Sequence, residues 1–121
     1  MTRKFSYAKQ VTVPAGSEQF FDLLEIREGQ TLKVARVVFD YPTAARGYVY
    51  CSIWKGNIQV LPDEGEITTY RGYIELNTDK LWESGTRIRL KARNTDATND
   101  RTVLVVIEGE YYSFEEVGGG E

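Results

Sequence analysis

The sequence predicts an all-β protein, an antiparallel β-sandwich with about eight strands in a single domain. Short segments with a two-residue hydrophobic alternation recur along the 121 residues, turn-forming residues separate them, and no segment has a strong helical pattern. Short strands divided by turns are typical of sandwiches and barrels. A chain of this length buries about two-thirds of the surface that its unfolded form exposes, so one core is sufficient.

Four strands are predicted in the first half, over residues 9–13, 18–26, 31–41 and 47–54. Segment 18–26 also has helical spacing, but strand is favoured because its apolar residues also fit the two sides of a strand. Within 31–41 the apolar parity changes between Val34 and Val37, which predicts a β-bulge near Ala35 and Arg36. Lys55, Gly56 and Asn57 predict a tight hairpin that leads into a strand over 58–61.

The second half is predicted to hold a strand over 72–76, a connection over 77–85, and a final hairpin over 86–112. One arm, 86–94, alternates regularly, and the other, 102–112, follows a loop at about 95–101. The folded core is expected to span about 9–112, and 113–121, which ends in three glycines, is expected to be a mobile tail. Eight strands with several long connections favour a jelly roll. An immunoglobulin sandwich is the alternative, but the chain lacks a Cys pair that flanks a buried Trp.

Two segments are apolar on both sides, and a strand of this kind must be covered twice. In 103–107 the second side carries Leu104 and Val106. In 48–54 it carries an aromatic row, Tyr48, Tyr50 and Trp54. These five residues are predicted to form an interface or ligand platform. The row can fill the core, form a subunit interface, in which Tyr and Trp are enriched, or serve as a sugar-stacking platform.

A basic stripe occupies one side of the arm 86–94, formed by Arg87, Arg89, Lys91 and Arg93. Such a stripe can contact a polyanion. In the predicted hairpin, however, Glu108 and Glu110 would lie beside Arg87 and Arg89, where opposite charges pair across strands. A half-neutralised solvated or interface surface is therefore favoured.

The absence of histidine excludes Ser-His-Asp and Cys-His catalysis and removes a common zinc ligand. Cys51 alternates with Val49 and Ile53 and is expected to be buried and unreactive. Asp63, Glu64 and Glu66 could supply a carboxylate pair for acid–base chemistry, but they belong to one acidic loop, whereas paired catalytic carboxylates usually come from different elements. No catalytic residue, metal ligand or cofactor is therefore predicted.

The loop 94–100 places oxygen-bearing side chains at every second position, as calcium loops do. It lacks a glycine at the sharp turn and a bidentate Glu at the closing position. The alternative is that Asn, Asp and Thr side chains bond to the local backbone and build a tight loop.

Charge and hydropathy restrict the partners. The net charge of -3 and the pI near 5.1 argue against nucleic-acid binding. No run approaches the roughly 18 apolar residues of a membrane helix, and no secretory signal follows the charged start. A soluble protein with a reduced thiol is expected.

In strand count, acidity and a final hairpin that leads into a short tail, residues 9–112 resemble jelly-roll domains of viral structural proteins, of the capsid-decoration or fibre type. The resemblance implies a non-catalytic module that self-associates, often as a trimer, docks on a larger protein assembly and resides in a virion. No motif carries the resemblance, so it assigns no site residue. The alternative function is a carbohydrate-binding module that uses the aromatic row on a glycan.

Overall fold

The structure is a computed structural model that describes residues 2–69 and 72–113, and it is an antiparallel β-sandwich. A single turn of 3-10 helix, Thr43–Ala45, follows the third strand. The strands in the described residues are β1 (Thr2–Val13), β2 (Glu18–Glu25), β3 (Gln30–Asp40), β4 (Val49–Lys55), β5 (Ile58–Leu61), β6 (Tyr73–Asn77), β7 (Leu81–Trp82), β8 (Arg87–Asn94) and β9 (Arg101–Ser113).

The strands alternate between two sheets, which confirms the predicted jelly roll. Sheet A has the order β1-β9-β3-β6, and β7 also pairs with β3. Sheet B has the order β2-β8-β4-β5. All strand pairs are antiparallel. Sheet A thus has five strands and sheet B four, and the interleaved order β1-β9-β3-β6 over β2-β8-β4-β5 is the jelly-roll topology.

The prediction that the last two strands pair as a hairpin is wrong, although both strands exist. β8 pairs with β2 and β4 in sheet B, whereas β9 pairs with β1 and β3 in sheet A. The loop from Thr95 to Asp100 therefore crosses from one sheet to the other. Each strand gains two neighbours in its own sheet, and their buried faces meet across the core. The expected cross-strand contact of Glu108 and Glu110 with the basic stripe does not exist.

The predicted bulge is confirmed in β3. The register with β9 shifts between Val34 and Arg36. The extra residue lets residues of opposite sequence parity, Val34 before it and Val37 after it, both point into the core with no exposed surface. Gly109 lies opposite this point, where a Cβ would overlap the backbone carbonyl of Lys33. Glycine is therefore required for the strands to approach this closely.

The core fills the space between the two inner faces. The predicted inner residues of β4, Val49, Cys51 and Ile53, have no exposed surface. In β9 the inner positions Val105 and Ile107 are likewise fully buried. Because β8, β4, β9 and β3 are central strands, their neighbours also cover part of their outer side chains.

The described strands extend further than predicted at both ends of the chain. β1 begins at Thr2 rather than at residue 9, and β9 continues to Ser113. The rest of the predicted tail, 114–121, lies outside the described residues. No helix in residues 2–69 and 72–113 has the length and apolar character needed to cross a membrane.

Candidate interaction surfaces

The predicted platform residues lie on two opposite surfaces of the sandwich. Tyr50 and Trp54 alternate with buried residues of β4 and lie on the outer face of sheet B. Tyr48 precedes this strand and is 44% exposed. Leu104 and Val106 are half-buried on the outer face of sheet A. The aromatic row does not fill the core, and the two sets cannot form one site.

The outer face of sheet B is here called the aromatic-basic face, and the basic stripe runs along its centre. β8 alternates between fully buried residues and the cations of the stripe, as predicted. Its neighbours place Phe20 of β2 opposite Lys91 and Tyr50 of β4 opposite Arg93. The face therefore alternates cations with aromatic rings across three strands.

The cations of this face lie against the rings. The Arg89 guanidinium carbon is 4.1 Å from the Phe20 ring centroid, and that of Arg93 is 4.5 Å from the Tyr50 centroid. Lys91 Nζ is 5.3 Å from the Trp54 centroid. These distances are within the range of cation–π attraction.

Tyr48 follows the same pattern at the end of the row. Its ring centroid is 5.0 Å from the Arg101 guanidinium carbon. Every ring of the predicted row therefore has a cation within about 6 Å, the limit for this attraction. A sugar-stacking platform needs an open ring face, so the carbohydrate-binding function stays a prediction without structural support.

Carboxylates of the flanking segments pair with the stripe. Lys91 Nζ is 3.2 Å from Glu18, and Arg93 is 2.8 Å from Glu66. The hydrogen bond with Glu66 raises the pKa of the Arg93 guanidinium above its ordinary value. Arg87 lies 3.7 Å from Glu25, with both side chains mostly exposed. Three of the four cations of the stripe thus pair with carboxylates, which come from β2 and from the segment after β5 rather than from β9.

Arg89 and Trp54 are held by additional hydrogen bonds. Arg89 donates to the carbonyl oxygen of Gly56 in the β4–β5 turn at 2.7 Å. Trp54 Nε1 donates to Ser52 Oγ at 2.9 Å, and Ser52 is buried although it belongs to the outer side of β4. The Phe20 and Trp54 rings meet edge to face at 5.4 Å. These contacts fix the side chains before any partner binds.

The outer face of sheet A has a different composition. Val106 lies between Ala8 of β1 and Val38 of β3, and Leu104 is two residues before it on β9. These four residues, Ala8, Val38, Leu104 and Val106, are here called the apolar strip. Leu104, Val106 and Val38 are half-buried, and Ala8 is exposed.

A charged cluster borders the apolar strip. Arg36 forms salt bridges with Glu108 and with Glu75, the latter at 3.0 Å. The hydrogen bond with Glu108 is the largest cause of the raised pKa of Arg36. Glu108 therefore pairs with Arg36 in its own sheet, not with the basic stripe. An apolar centre with a polar border is the usual anatomy of a protein interface.

The loop between β8 and β9 satisfies its own polar groups. Both oxygens of Asp96 accept hydrogen bonds from within the loop and from Arg101. The backbone N–H of Thr98, followed by the Arg101 guanidinium, lowers the pKa of this carboxyl. The Asn94 side chain donates to the carbonyl oxygens of Val13 and Asn99. This network matches the alternative in which the polar side chains build the loop.

The described residues contain no group of three or more acidic or Cys side chains able to hold a metal ion. Asp63, one of the three weighed catalytic carboxylates, is 84% exposed and pairs with Lys80 at 3.1 Å, and Glu66 pairs with Arg93. Glu64 is also exposed. Burial raises the pKa of the Cys51 thiol to about 12, so the thiol stays protonated at neutral pH.

Phe20 and Glu18 were not predicted as site residues, and Glu66 was weighed only as a catalytic carboxylate, not as a partner of the basic stripe. The alternation of Glu18, Phe20 and Asp22 in β2 indicates an outward row, but it does not indicate which strand lies beside it. Glu66 is in a loop without periodicity, and its position follows from a backbone pairing of Ile67 with Cys51. Only the sheet order brings these residues to the basic stripe.

Comparison with known proteins finds similar structures but no similar sequences. No protein-family model matches the chain. No curated protein matches its sequence significantly.

A structure of an archaeal virus with a triple jelly-roll fold and turret assembly matches with a TM-score of 0.57 and 14% identity, over 92% of this chain and 29% of that chain. A structure of Sulfolobus Turreted Icosahedral Virus gives 0.55 and 13%, over 92% and 30%. The chain therefore spans less than a third of these two proteins. The capsid of cyanophage Pam1 gives 0.53 and 18%, over 93% of this chain and 84% of that one. The fold of this protein is thus the jelly roll of viral capsid proteins.

Proposed function

We propose that this protein is a non-catalytic structural module that self-associates, as a trimer, and docks on a larger particle such as a virus capsid. Its structural neighbours are mainly viral capsid proteins, and each of the three compared structures matches more than nine-tenths of the chain. Shared fold alone does not define function, so the proposal depends on the surfaces of this chain.

The observation that carries the proposal is the apolar strip on sheet A. Its four side chains come from three adjacent strands and lie in neighbouring positions. Leu104 and Val106 alternate with fully buried core residues, so β9 is apolar on both sides. Contiguous apolar surface on a folded domain marks interaction sites, and the charged cluster at Arg36 supplies a polar rim.

The chemistry of the described residues supports a non-catalytic role. The carboxylates weighed as an acid–base pair are exposed in one loop, and the single thiol is buried and protonated. Lowered or raised pKa values elsewhere have structural causes, such as the loop hydrogen bonds of Asp96. Acid–base catalysis needs facing groups with tuned pKa values, and no such pair is assembled in the part of the chain described.

Sedimentation equilibrium of the full chain tests the proposal. The wild type is expected to have the mass of three chains at high concentration. Leu104→Lys combined with Val106→Lys should reduce the mass to one chain, because two charges would be buried in the interface. Thr102→Lys, on the same strand and face but beyond the strip, is the matched control and should keep the wild-type mass. A wild-type mass of one chain at high concentration would overturn the proposal.

A further inference from the structure

β1 forms a long edge of sheet A. It has 12 residues, and within residues 2–69 and 72–113 its one strand partner is β9. Its free side therefore presents backbone N–H and C=O groups along the strand. Edge strands of this length normally carry charges or bulges that prevent pairing with other chains. β1 pairs with β9 without a register shift.

The charges of this edge all have the same sign. β1 contains Arg3, Lys4 and Lys9 and no acidic residue. Lys9 Nζ donates to the backbone carbonyl of Asp22 at 2.8 Å. Arg3 and Lys4 are exposed, and neither forms a salt bridge with any residue that the structure describes. In contrast, Lys91 and Arg93 of sheet B both pair with carboxylates.

A small pocket lies at the start of β1. Its volume is about 270 Å³, and it is lined by Arg3, Lys4, Phe5, Arg27, Gln30 and Tyr111. Three of its lining residues are cations and none is acidic. Arg27, which comes from the β2–β3 loop, is exposed and likewise forms no salt bridge among the described residues. The lining of the pocket therefore carries only positive charge, and the nearest acidic residue in the strand register is Glu110, opposite Lys4.

Aromatic rings form the apolar part of the same region. Phe5 meets Tyr111 edge to face at 4.9 Å and stacks on Tyr7 at 6.5 Å. All three rings are half-buried. Phe5 and Tyr7 share one side of β1 with Arg3, so the cation and the rings lie in a row at the spacing of alternate residues.

We infer that the free edge of β1 docks an extended acidic segment of a partner protein, which adds to sheet A as a further strand. The inference rests on the proposed function and specifies its docking step. Backbone hydrogen bonds provide affinity in strand addition, and pockets for alternate side chains provide specificity. Complementary charge adds orientation and a faster association.

The row on β1 defines the segment that fits. Side chains directly opposite in a strand pair contact each other. An acidic residue of the segment would lie opposite Arg3 and within reach of Arg27. Apolar residues two and four positions away would lie opposite Phe5 and Tyr7. The ligand is therefore a strand with an acidic residue at one end of a face whose next alternate positions are apolar, not a uniformly acidic chain.

Fluorescence anisotropy with a labelled peptide tests this inference on the full chain. The probe is a peptide of about nine residues, here called the Glu-Val peptide, long enough to cover most of β1. It has Glu at the positions that would face Arg3 and Lys4, Val at those that would face Phe5 and Tyr7, and Thr elsewhere. Its controls are the same peptide with Lys in place of Glu, and the Glu-Val peptide with N-methylated backbone amides. The Glu-Val peptide should bind at low salt, and both controls should bind at least about tenfold more weakly, since one lacks the charge and the other the strand hydrogen bonds.

Variants locate the site on β1. Arg3→Glu combined with Arg27→Glu should weaken peptide binding by about tenfold or more. The matched control is Arg87→Glu combined with Lys55→Glu, which makes the same charge change on sheet B and should alter binding by less than about twofold. Equal loss in both double variants would overturn the inference, because binding would then depend only on net charge. Equal binding of the N-methylated peptide would overturn strand addition.

The acidic end of this chain is a rival occupant. Glu115 and Glu116 lie outside the described residues. If the peptide binds only to the variant with Glu115→Gln and Glu116→Gln, the chain itself occupies the site, and the inference that a partner docks there is wrong. If the peptide binds to the unaltered chain, the result supports docking of a partner.

The two proposals can fail separately. A trimeric mass without peptide binding would overturn only the docking site on β1. A monomeric mass with peptide binding that Arg3→Glu and Arg27→Glu abolish would overturn self-association and leave the docking site in place.

Discussion

The outer faces of the two sheets differ in how their side chains are used. On the aromatic-basic face of sheet B, Trp54 and Arg93 contact aromatic rings, carboxylates and hydroxyl groups of the same chain. On sheet A the apolar strip has only the side chains of its neighbouring strands beside it, and Arg36 gathers the nearby carboxylates.

The comparison teaches that composition alone does not identify an interface. Trp, Tyr and Arg are the residues most enriched in binding hot spots, and sheet B carries them. Yet they are already engaged within the chain, so that the face contributes to folding stability. The smaller apolar side chains of sheet A, Leu104 and Val106, are the ones proposed to contact a partner. Four predictions test this division.

The largest effect is expected at the bulge of sheet A. Gly109→Val should lower the free energy of unfolding by about 3 kcal/mol or more, because its side chain would overlap the backbone of Lys33 and push β3 away from β9. Urea denaturation measures the change. Thr102→Ala, on the same strand, should cost less than about 0.5 kcal/mol. A loss for Gly109→Val as small as this control would mean that sheet A does not need the close approach.

A pair of alanine variants compares the two faces directly. Trp54→Ala should destabilise the chain by about 2 kcal/mol, since it removes the Phe20 and Lys91 contacts and uncovers Ser52. Leu104→Ala should cost about 1 kcal/mol, because it removes a half-buried side chain with fewer contacts. Urea denaturation below the association concentration gives both values.

The same two variants should affect self-association in the reverse order, as measured by the mass of the protein in solution. Leu104→Ala should weaken self-association, and Trp54→Ala should leave the mass of the folded protein unchanged. If Trp54→Ala dissociates the oligomer while Leu104→Ala does not, the faces have been assigned the wrong way round.

The loop that joins the two faces should respond to acid. Hydrogen bonds from Thr98 and Arg101 lower the pKa of Asp96 in the folded state, whereas an unfolded Asp has a pKa of about 3.9. The contribution of Asp96 is therefore fully present above pH about 4 and is lost as the pH falls through the lowered folded-state pKa.

The free energy of unfolding of the wild type should fall as the pH is lowered below about 4, and Asp96→Asn should make this fall smaller. Urea denaturation at a series of pH values measures both. Asp63→Asn, whose side chain is 84% exposed in the native protein, is the control and should keep the wild-type acid dependence. The prediction fails if both variants lose stability in acid as steeply as the wild type.

The smallest effect is expected at the exposed end of the stripe. Arg87→Gln should change the free energy of unfolding by less than about 0.5 kcal/mol, because its pair with Glu25 is mostly exposed. Arg93→Gln should cost more, since Arg93 contacts both Glu66 and the Tyr50 ring. Chemical denaturation of the two variants in parallel checks the order. Equal costs would show that the ring contact adds nothing.

The predictions from sequence succeeded where a local pattern decides the structure. The alternation of β8 gave its buried and exposed sides, because successive side chains of a strand point to opposite faces. The change of parity in β3 gave the bulge before Arg36, and the alternation of β4 gave a buried Cys51. The approximate positions of eight of the nine described strands, and with them the jelly roll, followed from turns and periodicity, but β7 lies in the segment 77–85 that was predicted to be a connection.

The sequence by itself thus determined the alternating buried positions of the main strands, the approximate places of eight of the nine described strands and where one strand bulges. Only the tertiary structure decided which strands are neighbours. β8 and β9 follow each other along the chain and were expected to pair, but their connecting loop is long enough to cross between sheets, which pack about 10 Å apart. A two-residue period specifies a face and carries no information about the partner strand. For this reason the carboxylates of the basic stripe were misassigned, and Tyr50 and Val106, predicted as one platform, lie on opposite sides of the protein.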